Sequence, residues 1–186
     1  MNAALTTQVL ILADRLRALN WRMATAESCT GGGIGYYLTE LSGASEWFTG
    51  GILAYNNAVK QDVLGVSADT LLAHGAVSEQ TVMQMARGVF RLMPVNCSVA
   101  VSGVAGPSGG TVDKPVGTVC FAWAWRDAVG NTQVRTHRAQ FAGDRHEVRM
   151  QTVLRAIEGL SELCVQVQKH TVVAEDLMGL RGTHWV

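Results

Sequence analysis

Charge of either sign is scarce in this chain. Fifteen lysines and arginines balance fifteen aspartates and glutamates, and charged residues make up only 16% of the whole. So even a balance offers no basic stripe for nucleic acid and no polybasic face for an anionic membrane, and neither partner is expected. No apolar run reaches the length of a membrane-spanning helix, and the first residues lack the basic, apolar and small-residue order of a secretory signal. Cysteine is also sparse. Cys29, Cys97, Cys120 and Cys164 form no CxxC pair and have no histidine at ligand spacing. The pattern argues against a zinc site and fits reduced thiols in a cytoplasmic protein. Internal repeats, low-complexity segments and linkers are missing as well.

What the chain does have is apolar content, 48% over 186 residues, enough for one domain with a sizeable core. Val9, Leu12, Leu16 and Leu19 recur at helical spacing and predict an amphipathic helix over 5–19. A short strand over 22–26 leads into a glycine-rich turn, with a helix from Gly31 to about Leu41. A second strand is expected over 50–55, followed by a helix that carries Lys60 and is capped by Asn56 or Asn57. A short helix near 69–73 ends at Gly75, and Ser78 caps a longer one with Val82, Met85, Ala86 and Val89 inward. Residues 98–102 form a strand that opens a second glycine-rich loop over 103–110, which lacks a Walker lysine or a GxGxxG order. Strands over 118–125 and 132–141 read as an antiparallel pair, with Trp123 and Trp125 on one face. A long helix then runs from Gly143-Asp144 to about Gln168. Helix and strand alternate throughout, so the expected fold is α/β: a three-layer α/β/α sandwich around a mixed sheet. Residues 1–168 form the domain and 169–186 a tail to which no role is assigned.

The stretch Thr25-Ala26-Glu27-Ser28-Cys29-Thr30-Gly31-Gly32-Gly33 stands out chemically. Glycines let backbone N–H groups approach a ligand, and a helix start offers unpaired donors and a positive dipole end. A serine there sits where an anion or an oxyanion would be stabilised. Ser28 and Thr30 could equally be caps of a plain strand-to-helix turn. Tyr55, Lys60, Ser102 and Arg145 each have an ordinary reading too. These are a half-buried aromatic, a solvated charge, a hydroxyl bonded to its own loop, and a member of a surface ion cluster with Asp144 and Glu147. Taken together they have a chemical logic. Serine needs a base, and a lysine made neutral by burial can serve, with a tyrosine hydroxyl to relay the proton or orient it. Arg145 can hold a phosphate in its fork of donors. Among the five histidines no Ser/His/Asp order stands out, His74 being the least implausible partner, and Cys29 is a rival nucleophile without an adjacent base.

These residues carry a resemblance. The Thr25 to Gly32 stretch is similar to the signature of the CinA C-terminal domain family, the nicotinamide-nucleotide amidohydrolases. Further motifs follow in family order: Trp47-Phe48 before Gly50-Gly51, Tyr55-Asn56 ahead of Lys60, and His74-Gly75-Ala76-Val77-Ser78. Ser102-Gly103-Val104-Ala105-Gly106-Pro107, Lys114-Pro115-Val116-Gly117-Thr118 and Gly143-Asp144-Arg145 complete the set over roughly residues 5–165. The resemblance implies hydrolysis of the carboxamide of nicotinamide mononucleotide to nicotinate mononucleotide and ammonia, with no metal and no cofactor. It implies Ser28 as nucleophile, Lys60 as general base and Tyr55 as assistant. Backbone N–H groups near Thr30 and Gly31 would hold the oxyanion, with Gly32 in the same substrate-binding turn. Ser102, Gly103 and Gly106 would contact substrate, and Arg145 its phosphate. Ser102 stands where many family members carry threonine. The resemblance further implies a homodimer or larger homo-oligomer. A second function class stays open beside it: a catalytically silent paralogue that binds a nucleotide or a protein, linked to competence or DNA damage.

Overall fold

The computed structural model describes residues 3–179, with side chains through Lys169. Among these residues the order is α1 (Ala3–Ala18), β1 (Met23–Glu27), α2 (Gly33–Thr39), β2 (Phe48–Leu53), α3 (Asn57–Asp62), α4 (Ala68–His74) and α5 (Glu79–Leu92). β3 (Cys97–Gly103), β4 (Thr118–Arg126), β5 (Thr132–Gln140) and α6 (Arg145–Gly179) follow. The strands form one sheet in the order β2-β1-β3-β4-β5. β1 runs parallel to β2 and β3, while β4 and β5 add on antiparallel. This is the expected mixed sheet with helices on both sides.

Burial along each strand follows from its place in that order. β1 is buried at every residue, as a strand covered on both faces must be. β2, an edge strand, alternates partly buried and exposed positions. The two faces differ in side-chain size. Ala24, Ala26, Ala100, Ala122 and Ala124 form a small-residue face packed with Val82, Met85, Ala86 and Val89 of α5. Met23, Val99, Val101, Val119, Phe121 and Trp123 point the other way, into a larger core with α1, α2 and α6. Trp123 anchors that side. Its indole N–H donates to the Ala156 carbonyl at 3.0 Å, and its ring stacks on Phe121 with centroids 5.4 Å apart. The guanidinium carbons of Arg135 and Arg155 lie 5.1 and 5.3 Å from the ring centroid.

Several boundaries differ from the sequence expectation. α2 begins at Gly33, not Gly31, because Gly31 and Gly32 adopt left-handed φ values of 62° and 88°, which a right-handed helix excludes. α6 continues past Gln168 to Gly179, which is the first glycine or proline after that position. Part of the expected tail is therefore helical backbone, and its last residues, 180–186, lie outside the described residues. Of the two candidate caps for α3, Asn56 is the one, accepting the Ala58 N–H at 2.9 Å.

Gly159 of α6 passes directly over Trp123: a Cβ there would lie 2.2 Å from ring atom Cε2. Helix propensity alone favours Gly159→Ala by about 1 kcal/mol, but overpacking against an indole held by its own hydrogen bond costs about 1–3 kcal/mol. Gly159→Ala is expected to lower stability on balance, read as an earlier midpoint in urea unfolding. An unchanged or later midpoint would mean that α6 does not seat on Trp123 this closely.

Candidate active site

β1 lies between β2 and β3, so the chain leaves β1 toward one neighbour and later returns on its other side. In open α/β sheets this switch point, at the carboxyl ends of the parallel strands, opens a crevice. Ser28 follows the last residue of β1, and its N–H donates to the Val101 carbonyl of β3 at 3.1 Å. Lys60 reaches the same place from α3. Although lysine on a short helix is ordinarily solvated, this side chain is only 1% exposed. Its Nζ lies 3.2 Å from Ser28 Oγ, 2.8 Å from the Ala54 carbonyl and 3.0 Å from the Tyr55 carbonyl. The tyrosine contribution therefore differs from the expected one. It is the backbone carbonyl of Tyr55 that meets Lys60. Tyr55 as a whole is 59% exposed, and its hydroxyl accepts from Arg145 Nη2 at 3.3 Å.

Ser28, Tyr55, Lys60, Ser102, Gly103 and Arg145 all line one cavity of 230 Å³. Ser102 is buried near the end of β3, opposite Cys120. A Cβ at Gly103 would lie 2.8 Å from the Thr118 carbonyl oxygen, so a larger residue there would push β3 away from β4. Arg145 is the first residue of α6, and its Nη1 donates to the Gly106 carbonyl at 2.8 Å. Its acidic neighbours do not pair with it. The Asp144 carboxylate accepts from the Glu147 N–H at 2.9 Å and the Glu147 carboxylate from the Asp144 N–H at 2.7 Å. This reciprocal cap of α6 leaves the guanidinium directed at the cavity.

The remaining expected site residues lie alongside. Thr30, Gly31 and Gly32 line a neighbouring concavity of 340 Å³ with Arg149 and His146, and Gly106 lines one of 670 Å³ that shares Arg145. The Gly31 N–H donates to the Ser28 carbonyl at 3.1 Å, closing the turn. Among the described residues, the N–H groups of Cys29 and Thr30 make no such turn bond to a backbone carbonyl. The anion at the start of α2 belongs to the chain itself. The Glu27 carboxylate accepts the N–H groups of Ile34 at 3.0 Å and Gly35 at 2.9 Å, so that helix start is already filled. His74 is exposed and outside the Ser28 cavity.

Asn57, Ala76 and Val77, read from sequence only as a cap candidate and as part of a motif, also line this cavity together with Cys29 and Ala105, and Arg149 was not singled out at all. Arg149 Nη2 donates to the Thr30 carbonyl at 2.8 Å. The available signal was its spacing: positions 145 and 149 fall on one face of a helix.

Electrostatics separate the candidate nucleophiles and base. Burial lowers the Lys60 pKa from its ordinary 10.5, favouring the free amine, with the neighbouring Cys29 acting in the opposite direction. Burial pushes the Cys29 thiol up to about 12, so it stays protonated and is a poor nucleophile. Ser28 Oγ lies within hydrogen-bond distance of Lys60 Nζ, whereas the Cys29 thiol is held protonated.

Known proteins are similar to this chain over most of its length. The model of the CinA C-terminal domain family covers residues 5–164. The nicotinamide-nucleotide amidohydrolase PncC of Enterobacter agglomerans is 46% identical over 143 residues, 77% of this chain and 85% of that one. The protein of the same name from Pseudomonas putida is 45% identical over 159 residues, 86% and 96% of the two chains. A crystal structure of a competence-damaged protein (CinA) superfamily member from Klebsiella pneumoniae superposes with a TM-score of 0.82 at 36% identity, covering 87% of this chain and 98% of that one.

The lowered Lys60 pKa has a stability consequence. Below it the folded and unfolded chains both hold the proton, and the folded state bears the full cost of burying the charge. As pH rises from the lowered value toward 10.5 the unfolded chain holds more protons, so this contribution to stability increases. Lys60→Met removes the titration. The variant's stability advantage over the unaltered chain should shrink as pH is raised through that window, measured by urea unfolding at several pH values. A pH-independent difference would mean that Lys60 titrates alike in both states.

Proposed function

The chain belongs to the CinA C-terminal domain family, and from that premise we propose that it is a nicotinamide mononucleotide amidohydrolase working through Ser28 and Lys60. The observation that carries the mechanism is the lysine amine held between two carbonyls and one hydroxyl. A neutral amine has two protons and one lone pair. The Ala54 and Tyr55 carbonyls accept hydrogen bonds from the two N–H groups, which leaves the lone pair for the hydroxyl proton of Ser28. Lys60 accepts that proton as Oγ attacks the carboxamide carbon. The tetrahedral oxyanion is held by N–H groups of the turn, with Cys29 and Thr30 the donors open for it. Lys60 returns the proton to the leaving nitrogen and ammonia departs. Water, deprotonated in turn by Lys60, then attacks the acyl-serine, releasing nicotinate mononucleotide and restoring the hydroxyl. Amide hydrolysis transfers no electrons, so no redox cofactor is called for.

A cavity of 230 Å³ suits the pyridine ring and its carboxamide. Ribose and phosphate would extend into the 670 Å³ space beyond Arg145, whose guanidinium stands between the two. Tyr55 steadies that guanidinium through its hydroxyl. Ser102 and Gly103 shape the far wall. We place the reaction in the cytoplasm, a reading supported by four buried free cysteines. We also assign the homodimeric or larger assembly expected from the family.

The purified chain should release ammonia from nicotinamide mononucleotide. Ser28→Ala and Lys60→Met should each lower kcat by about 10²–10⁴-fold, while Cys29→Ala leaves most of it. Arg145→Ala should chiefly raise KM. kcat/KM should climb with pH along a limb centred below 10.5, as Lys60 loses its proton. Ligand binding without turnover would transfer the chain to the silent, nucleotide-binding class. Sedimentation equilibrium tests the assembly, and a monomer at micromolar concentration would remove it.

A further inference from the structure

Glu27 is the one buried acidic group beside the nucleophile that the mechanism leaves unused. It is 2% exposed and immediately precedes Ser28. One carboxylate oxygen accepts the Thr25 hydroxyl at 3.2 Å and the Gly35 N–H at 2.9 Å. The other accepts the Thr30 hydroxyl at 2.7 Å and the Ile34 N–H at 3.0 Å. Both oxygens are thus fully engaged. The N-cap of α2 is Gly32, which has no side chain with which to cap. Glu27 supplies that cap from across the turn and closes residues 28–34 into a ring.

The backbone of the same residue reaches the base. The Glu27 carbonyl accepts the Ala54 N–H at 2.7 Å, and the Ala54 carbonyl accepts Lys60 Nζ at 2.8 Å. Nucleophile and base are therefore tied to one residue, the first through its side chain and the second through its main chain. A buried charge is a poor choice for stability alone, because a well-packed apolar side chain commonly serves as well or better.

We propose that Glu27 is a positioning residue for the hydrolysis: its carboxylate holds the turn so that Ser28 Oγ stays within reach of Lys60 Nζ. The inference rests on the serine–lysine reading above. Misplacing a reacting group by about 1 Å can cost about 10²-fold in rate.

Glu27→Gln tests it. The amide keeps the shape, but its NH2 cannot accept a hydrogen bond, so the Ile34 or the Gly35 N–H loses its partner. The readout is the rate at which a fluorophosphonate labels Ser28, which needs no substrate. Labelling should slow by about 10²-fold in a chain that still unfolds cooperatively, kcat should fall in step, and KM should stay within about twofold. Two milder variants separate positioning from general support. Thr30→Val removes a carboxylate bond inside the turn, and Thr25→Val removes one inside the strand. Positioning predicts about tenfold slower labelling for Thr30→Val and a change within about twofold for Thr25→Val. These variants also decide the matter if Glu27→Gln fails to fold. Equal effects of the two threonine variants, or unchanged labelling in a folded Glu27→Gln, would overturn the proposal and leave the serine mechanism standing. A chain whose Ser28 resists the reagent at every pH would overturn both.

Discussion

The site depends on a lysine amine kept out of water. Burial alone would make Lys60 costly, since an isolated charge in a dry interior is strongly disfavoured. The two carbonyls that receive its hydrogens are what make the position tolerable, and they come from the main chain where β2 ends and α3 has not yet begun. No substitution of side chains can remove them without moving the backbone. The same carbonyls leave the amine a single open direction, and that direction is Ser28.

Topology then decides what can meet at this point. Because β1 has parallel neighbours on both sides, the turn after it receives loops from β2 and from β3 at the same end of the sheet. α3, which follows β2, brings Lys60, the end of β3 brings Ser102 and Gly103, the stretch before α5 brings Ala76 and Val77, and α6 closes the opening with Arg145. Five segments separated in sequence converge, while the antiparallel strands β4 and β5 take no part in the cavity beyond supporting β3.

Much of this was readable from the sequence, and the unread parts have physical reasons. Period and capping residues located the helices and strands, since Ser78 and Asn56 bond as caps do and the α5 stripe is buried. Ser28 and Lys60 could be paired by chemistry before any geometry, because a buried lysine is one of few bases a serine can use. Their distance, and the exchange of the Tyr55 hydroxyl for its carbonyl, depend on how β2 terminates, which no periodicity encodes. The role of Glu27 was hidden for a similar reason. A carboxylate before a glycine-rich turn looks solvated until the turn is seen to fold back over it, and the left-handed φ values at Gly31 and Gly32 that allow this are choices among several open to glycine. The end of α6 was misplaced at Gln168 because the sequence has no glycine or proline to stop the helix until Gly179, where it does end.

α6 carries Arg145 and Arg149 at one end and, three turns further on, the Ala156 carbonyl and Gly159 that seat Trp123. A helix slides as a unit, and one residue of slip is about 1.5 Å. The rim of the pocket therefore inherits its alignment from the interior, and an engineer wishing to retune selectivity has two handles of unequal precision. Exchanging residues at 145, 146 or 149 alters the chemistry of the opening in place. Altering the tryptophan seat would displace every cation on the rim together, a coarse adjustment whose sign the rim itself does not control.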